Sequence, residues 1–105
     1  MAAFLISVTN TETGTTSKHR VNPRKGIDPK LPEFFIGSAA SNELVLKGLA
    51  PKHASVIRRG QRTLVRSEPG APVRVNRAPV DAGEPTIVNS QAFELGPYMV
   101  EVRYD

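Results

Sequence analysis

The chain has 105 residues and a formal net charge of +4, with 39% hydrophobic and 23% charged residues, which suits one folded globular domain with one core rather than two domains or a disordered chain. It has no Cys and only two His, His19 and His53, which excludes disulfides, thiol nucleophiles and thiolate metal centres and points to a cytoplasmic domain without metal or cofactor. No apolar run approaches the roughly 18 residues of a membrane helix, and the opening Ala2-Ala3-Phe4-Leu5-Ile6 lacks the basic flank of a signal peptide.

Nine Pro and eight Gly punctuate the chain every few residues, so no stretch is long enough for a helix, and the runs between them are short and β-rich. Phe4 to Val8 is the first predicted strand. Asn10 to Gly14 reads as a turn, and Thr15 to Val21 as a polar, exposed partner strand. Asn22 to Pro32 is an irregular connection, after which Phe34-Phe35-Ile36 restarts a buried strand that ends at Gly37. Leu44-Val45-Leu46 follows. Ala54–Arg58 and Arg62–Arg66 flank Arg59-Gly60-Gln61 as a hairpin, with Val56 set against Leu64 and Ile57 against Val65, so both faces carry apolar residues. Val73 and Val75 alternate with Arg74. Ile87-Val88 and Ala92-Phe93 come next. At the end Tyr98, Val100, Val102 and Tyr104 alternate with Met99, Glu101 and Arg103, the period of a half-buried strand. Short strands at this spacing predict an all-β sandwich or barrel. The expected core is Phe35, Leu46, Ile57, Leu64, Val75, Phe93 and Val100. Residues 1–105 read as a single domain, compatible with a piece of a longer protein.

The stretch Ile36-Gly37-Ser38, then Asn42, Leu44 and Leu46, then Pro51-Lys52-His53-Ala54, resembles a forkhead-associated (FHA) domain. Val75-Asn76-Arg77 and Phe93-Glu94-Leu95-Gly96 continue the resemblance, which spans about residues 33–104. The family pattern is a Gly-Arg after a strand, a Ser-Arg-x-His-Ala turn, an Asn-Gly-Thr-x-Val-Asn-Gly region and a Gly-Asp-x-Ile-x-Leu-Gly ending. The resemblance implies a two-sheet β-sandwich whose loops gather at one end, and in the family those loops read phosphothreonine on a partner protein. It also implies that His53 ties its turn together from inside and that Gly37, Asn76 and Gly96 shape turns.

The departures from the pattern fall on the chemistry. A phosphothreonine carries close to two negative charges and three acceptor oxygens, and gripping it takes a guanidinium fork and hydroxyl or amide donors. Ser38 stands where the pattern has the first Arg. Ala50 stands for the Ser of the turn, and Pro51 for its Arg. Pro69-Gly70-Ala71-Pro72-Val73 occupies the Asn-Gly-Thr region, with no Asn or Thr. Two lost charge-assisted contacts, each worth about 1.5–3 kcal/mol, would weaken binding by orders of magnitude.

Charge is uneven along the chain: +2 over residues 1–35, +6 over 36–80 and −4 over 81–105. Such asymmetry marks an anionic partner surface or mere solvation. The expected partner-binding set is Ser38, Ala50, Pro51, Lys52, Gly70, Arg74 and Arg77 around the loop end. Arg58, Arg62 and Arg66 form a basic hairpin face whose default reading is edge protection. No nucleophile–base pair, carboxylate dyad or phosphate loop is present, so an enzyme is not expected. The sequence therefore reads as a non-catalytic, phosphate-independent interaction or scaffold module of bacterial signalling or secretion-type assembly, its protein partner acidic or phosphorylated. Alternatives are a phosphothreonine reader rebuilt from Lys52, Arg74 and nearby backbone, and a small nucleic-acid-binding β-domain. The basic string Lys18, Arg20, Arg24, Lys25 and Lys30 would serve the latter, but it lacks the aromatics that stack bases.

Overall fold

A computed structural model describes residues 3–22, 32–83, 85–88 and 91–104. These hold strands and turns and no helix: β1 (Phe4–Asn10), β2 (Thr16–Val21), β3 (Glu33–Gly37), β4 (Leu44–Val45), β5 (Ala54–Arg59), β6 (Arg62–Ser67), β7 (Arg74–Val75), β8 (Ala78–Pro79), β9 (Thr86–Ile87), β10 (Phe93–Leu95) and β11 (Tyr98–Tyr104). A six-stranded sheet runs β2-β1-β11-β10-β7-β8, and a five-stranded sheet runs β4-β3-β5-β6-β9. The irregular connection expected before β3 falls mostly outside the described residues, as do Arg24, Lys25 and Lys30.

The alternation of β1 and β11 decides how the first sheet faces. Phe4, Ile6 and Val8 pair with Tyr104, Val102 and Val100, and all six point to one side, so a single apolar face is built from two strands remote in sequence. The second sheet closes over it with Phe34, Ile36, Ala54, Val56 and Val65. Phe34 meets Phe4 edge-on, with ring centroids 4.7 Å apart, and the Tyr104 ring lies 4.9 Å from that of Phe4. Phe34 and Phe93 are fully buried, each worth about 2–3 kcal/mol of burial.

The expected core holds in part. Leu46, Val75, Phe93 and Val100 join the buried cluster between the sheets; Ile57 and Leu64 are buried as well, but on the outer face of the five-stranded sheet, where Phe35 is only half-buried. Three apolar residues in a row give no period, and a slip of one residue exchanges the faces. Pairing of Ile36 with Ala54 and Leu44 turns Phe34 and Ile36 inward together.

The β5–β6 hairpin also differs in register. Val56 pairs with Val65 and Ile57 with Leu64, and Arg59 pairs with Arg62 across Gly60-Gln61. The connection has two residues, one fewer than expected, so every cross-strand pair shifts by one. The three arginines expected on one face divide accordingly. Arg58 turns to the sandwich interior, where its guanidinium lies 5.3 Å over the Tyr104 ring and bonds Gly60 O at 2.9 Å. Arg66 lies on the outer face with Arg62 and pairs with Glu33 at 3.3 Å.

Candidate functional site at the loop end

Gly37 ends β3 and His53 precedes β5, so the chain between them loops out and back at one end of the sandwich. Backbone bonds lace the two arms together: Ser38 N–H donates to Ala50 O at 3.0 Å and Ala39 N–H to Pro51 O at 3.2 Å. Asn42 fastens them from the side. Its Nδ2 donates to Pro51 O at 2.6 Å and to Ala39 O at 2.9 Å. This close approach explains Gly37, because a Cβ there would fall on the Pro51 carbonyl and 2.8 Å from Asn42 Nδ2.

His53 is 5% exposed and joins a third loop to the first two. Ala50 N–H donates to its Nδ1 at 3.3 Å, which leaves Nε2–H to donate to Pro72 O at 2.8 Å. One imidazole thus fixes both the 49–52 turn and the β6–β7 loop, spending both nitrogens. Its own N–H donates to Ile36 O at 2.8 Å and its C=O accepts from Glu68 N–H at 3.0 Å, so no valence of this residue remains for base catalysis. Tyr98 secures the neighbouring turn, its Oη donating to Lys47 O at 2.8 Å.

The residues on the outward side of these loops are poor in charge. Ser38 and Ala50 are half-buried, and Pro51, Gly70 and Pro72 are exposed. The structure brings Ser38, Ala50, Pro51 and the 68–73 loop together at this end. The cations Lys52 and Arg74 flank it on opposite sides. Lys52 is exposed, but its Nζ lies 4.3 Å over the ring of Phe35, on the outer side of the five-stranded sheet. Arg74 is exposed on the outer side of the six-stranded sheet, opposite Glu94, where the two line a small hollow with Pro72 and Gly96. The two cations proposed to rebuild an anion site therefore face opposite sides of the sandwich.

Arg77 lies in the turn between β7 and β8, at the end of β7 away from the 68–73 loop. Asn76 and Arg77 both have positive φ, 52° and 65°, the backbone of a tight hairpin turn. Arg77 occupies the position where the FHA pattern has Gly, at a cost of about 1 kcal/mol for a left-handed non-Gly residue. A second hollow, of about 280 Å³, lies between the 67–72 loop and Val80 with Ala82. Sequence reasoning assigned no role to Asn42 and missed the Lys52–Phe35 contact. The only signal for Asn42 was its place in the family pattern.

Among the described residues there is no group of three metal-ligating side chains, and no helix is long and apolar enough to cross a membrane. No family model matches the sequence, and no curated protein matches it. Solved structures do match. The FHA domain of FhaA, solved with the intracellular domain of Rv3910, shares 19% identity and a TM-score of 0.62, covering 98% of this chain and 100% of that one. The FHA1 domain of yeast Rad53 shares 13% identity and a TM-score of 0.68, covering 95% and 76%. The cytoplasmic domain of the type III secretion sorting-platform protein PscD of P. aeruginosa shares 16% identity and a TM-score of 0.65, covering 96% and 79%. The chain has the FHA fold, a two-sheet β-sandwich.

Proposed function

We propose that the chain is a non-catalytic protein-interaction module of FHA type whose loop end contacts a partner without reading phosphate. The observation that carries this reading is the division of the loop end. The ties that shape it, through Gly37, Asn42, His53 and Pro72 O, are complete. The positions that would grip a phosphoryl group hold Ser38, Ala50 and Pro51, and the nearest cations, Lys52 and Arg74, turn to opposite faces. An apolar, proline-rich tip with polar flanks suits a protein surface better than a compact dianion. The FhaA structure with the Rv3910 intracellular domain and the PscD sorting-platform domain support a setting in bacterial signalling or secretion-type assembly.

The second reading is a phosphothreonine reader. It is favoured by one similar structure, 19% identical, from a study of phosphothreonine-dependent FHA interactions, and by the hydroxyl of Ser38, a donor at the loop end. Restoring the missing chemistry separates the two. The triple variant S38R/A50S/P51R is expected to bind phosphothreonine peptides at least a hundredfold tighter than the unaltered chain, as two regained charge-assisted contacts require. An unaltered chain that already binds as tightly as the variant would establish the phosphothreonine reader instead.

A further inference from the structure

The two sheets leave four edges, and three are blunt: β4, β8 and β9 have two residues each, and β8 ends in Pro79. The fourth, β2, presents six residues. Its outward hydrogen-bonding groups follow from the hairpin that precedes it. Asn10 N–H donates to Thr15 O at 2.9 Å and Gly14 N–H to Asn10 O at 2.7 Å, and Gly14 has φ +74°, a bulge that sets the register. Thr9 then faces Thr16 with the two hydroxyls 3.0 Å apart, the closely spaced pair that exchanges no backbone bonds. Bonded and non-bonded pairs alternate. Ser17 and His19 therefore bond to β1, while the N–H and C=O groups of Thr16 and Lys18 point to the open edge. No described residue bonds them there.

The side chains at that edge are not neutral. Lys18 pairs with Ser7, which pairs with Glu101, and Arg20 pairs with Leu5, which pairs with Arg103. These six residues line a depression of about 570 Å³ on the outer face of the sheet, with three cations against one anion. The residues of β2 on the other side, Ser17 and His19, bond to each other at 2.9 Å and carry no acid.

We propose that β2 is a second docking surface, where an extended acidic segment of a partner protein adds as an antiparallel strand. Main-chain bonds to Thr16 and Lys18 give such a segment its affinity, and alternate side chains give it specificity. Residues opposite Lys18 carry carboxylates that enter the basic depression, and the residues between them are uncharged, because they extend the flank of the sandwich beside Ser17 and His19. Charge complementarity of cross-strand pairs selects this pattern over a basic or neutral strand. The surface lies outside the loop cluster, so it stands whether or not the loop-end reading does.

The probe is a ten-residue peptide of alternating Glu and Val, titrated at low salt into the isotope-labelled chain while backbone amide resonances are followed. Saturable shifts are expected in residues 16–21 and not in 38–42 or 49–53. Lys18→Glu, at an exposed position, should weaken binding at least tenfold with an unchanged thermal midpoint, and Arg103→Glu should weaken it in the same direction. A peptide of equal composition with its Glu residues in one block should bind at least tenfold more weakly. Methylating the peptide's Glu amides, which face β2, should abolish binding, and methylating its Val amides should leave it. Absence of saturable binding, shifts confined to the loop end, indifference to Lys18→Glu, or equal tolerance of both methylated peptides would each overturn the proposal.

Discussion

The inward and outward sides of the same three loops carry opposite chemistry. Inward, Asn42, His53 and the Pro51 and Pro72 carbonyls form a closed set of hydrogen bonds between 2.6 and 3.3 Å. Outward, on the same loops, stand Ser38, Ala50 and the ring of Pro51, with no fixed charge among them. A loop cluster whose inner ties are made and whose outer side chains carry no charge has a fixed shape without fixed electrostatics, which is the basis of the proposed phosphate-independent contact.

The same contrast of inside and outside can be tested at neighbouring phenylalanines, where the largest effect is expected. Phe34→Ala should cost about 3–5 kcal/mol in a urea titration, enough to unfold much of a domain this small. Phe35→Ala should cost only about 1 kcal/mol, for a ring already half in water. Equal losses would mean that the two faces of β3 are not distinct.

The inner side of the loop end comes next in size. His53→Ala leaves Pro72 O and Ala50 N–H without partners and should cost about 1–3 kcal/mol. Gly37→Ala drives a methyl group into the Pro51 carbonyl and Asn42 and should cost about 1–3 kcal/mol by overpacking. Thermal unfolding measures both, and a loss below a few tenths of a kcal/mol in either would contradict the interlocked inner layer.

The outer side should respond least. Lys52→Glu removes the contact over Phe35, worth about 0.5–1 kcal/mol at an exposed site, and should lower the thermal midpoint by only a few degrees. A loss like that of His53→Ala would place Lys52 in the inner layer instead.

What was legible in the sequence followed the local period. Tyr98 to Tyr104 alternates without interruption, and its four inward residues all pack on the core. The Phe34-Phe35-Ile36 run carried no period, so its inward face was settled only by pairing with Ala54 and Leu44. The hairpin register turned on a single residue of loop length. At the loop end the positions of Gly37 and His53 were legible through the family pattern, because each is a local turn requirement. The bonds of Ser38 to Ala50, Asn42 to Pro51 and His53 to Pro72 join residues 9 to 19 apart, and no composition or spacing encodes them. The direction of Lys52 and Arg74 was equally hidden, since strand parity fixes it only once the sheets are assigned.

The central claim is that the loop end works without phosphate. Isothermal titration of the unaltered chain against a degenerate phosphothreonine peptide library, and against the same library after dephosphorylation, tests it most directly. No dissociation constant below about a millimolar is expected in either case. A low-micromolar constant that vanishes on dephosphorylation would contradict it.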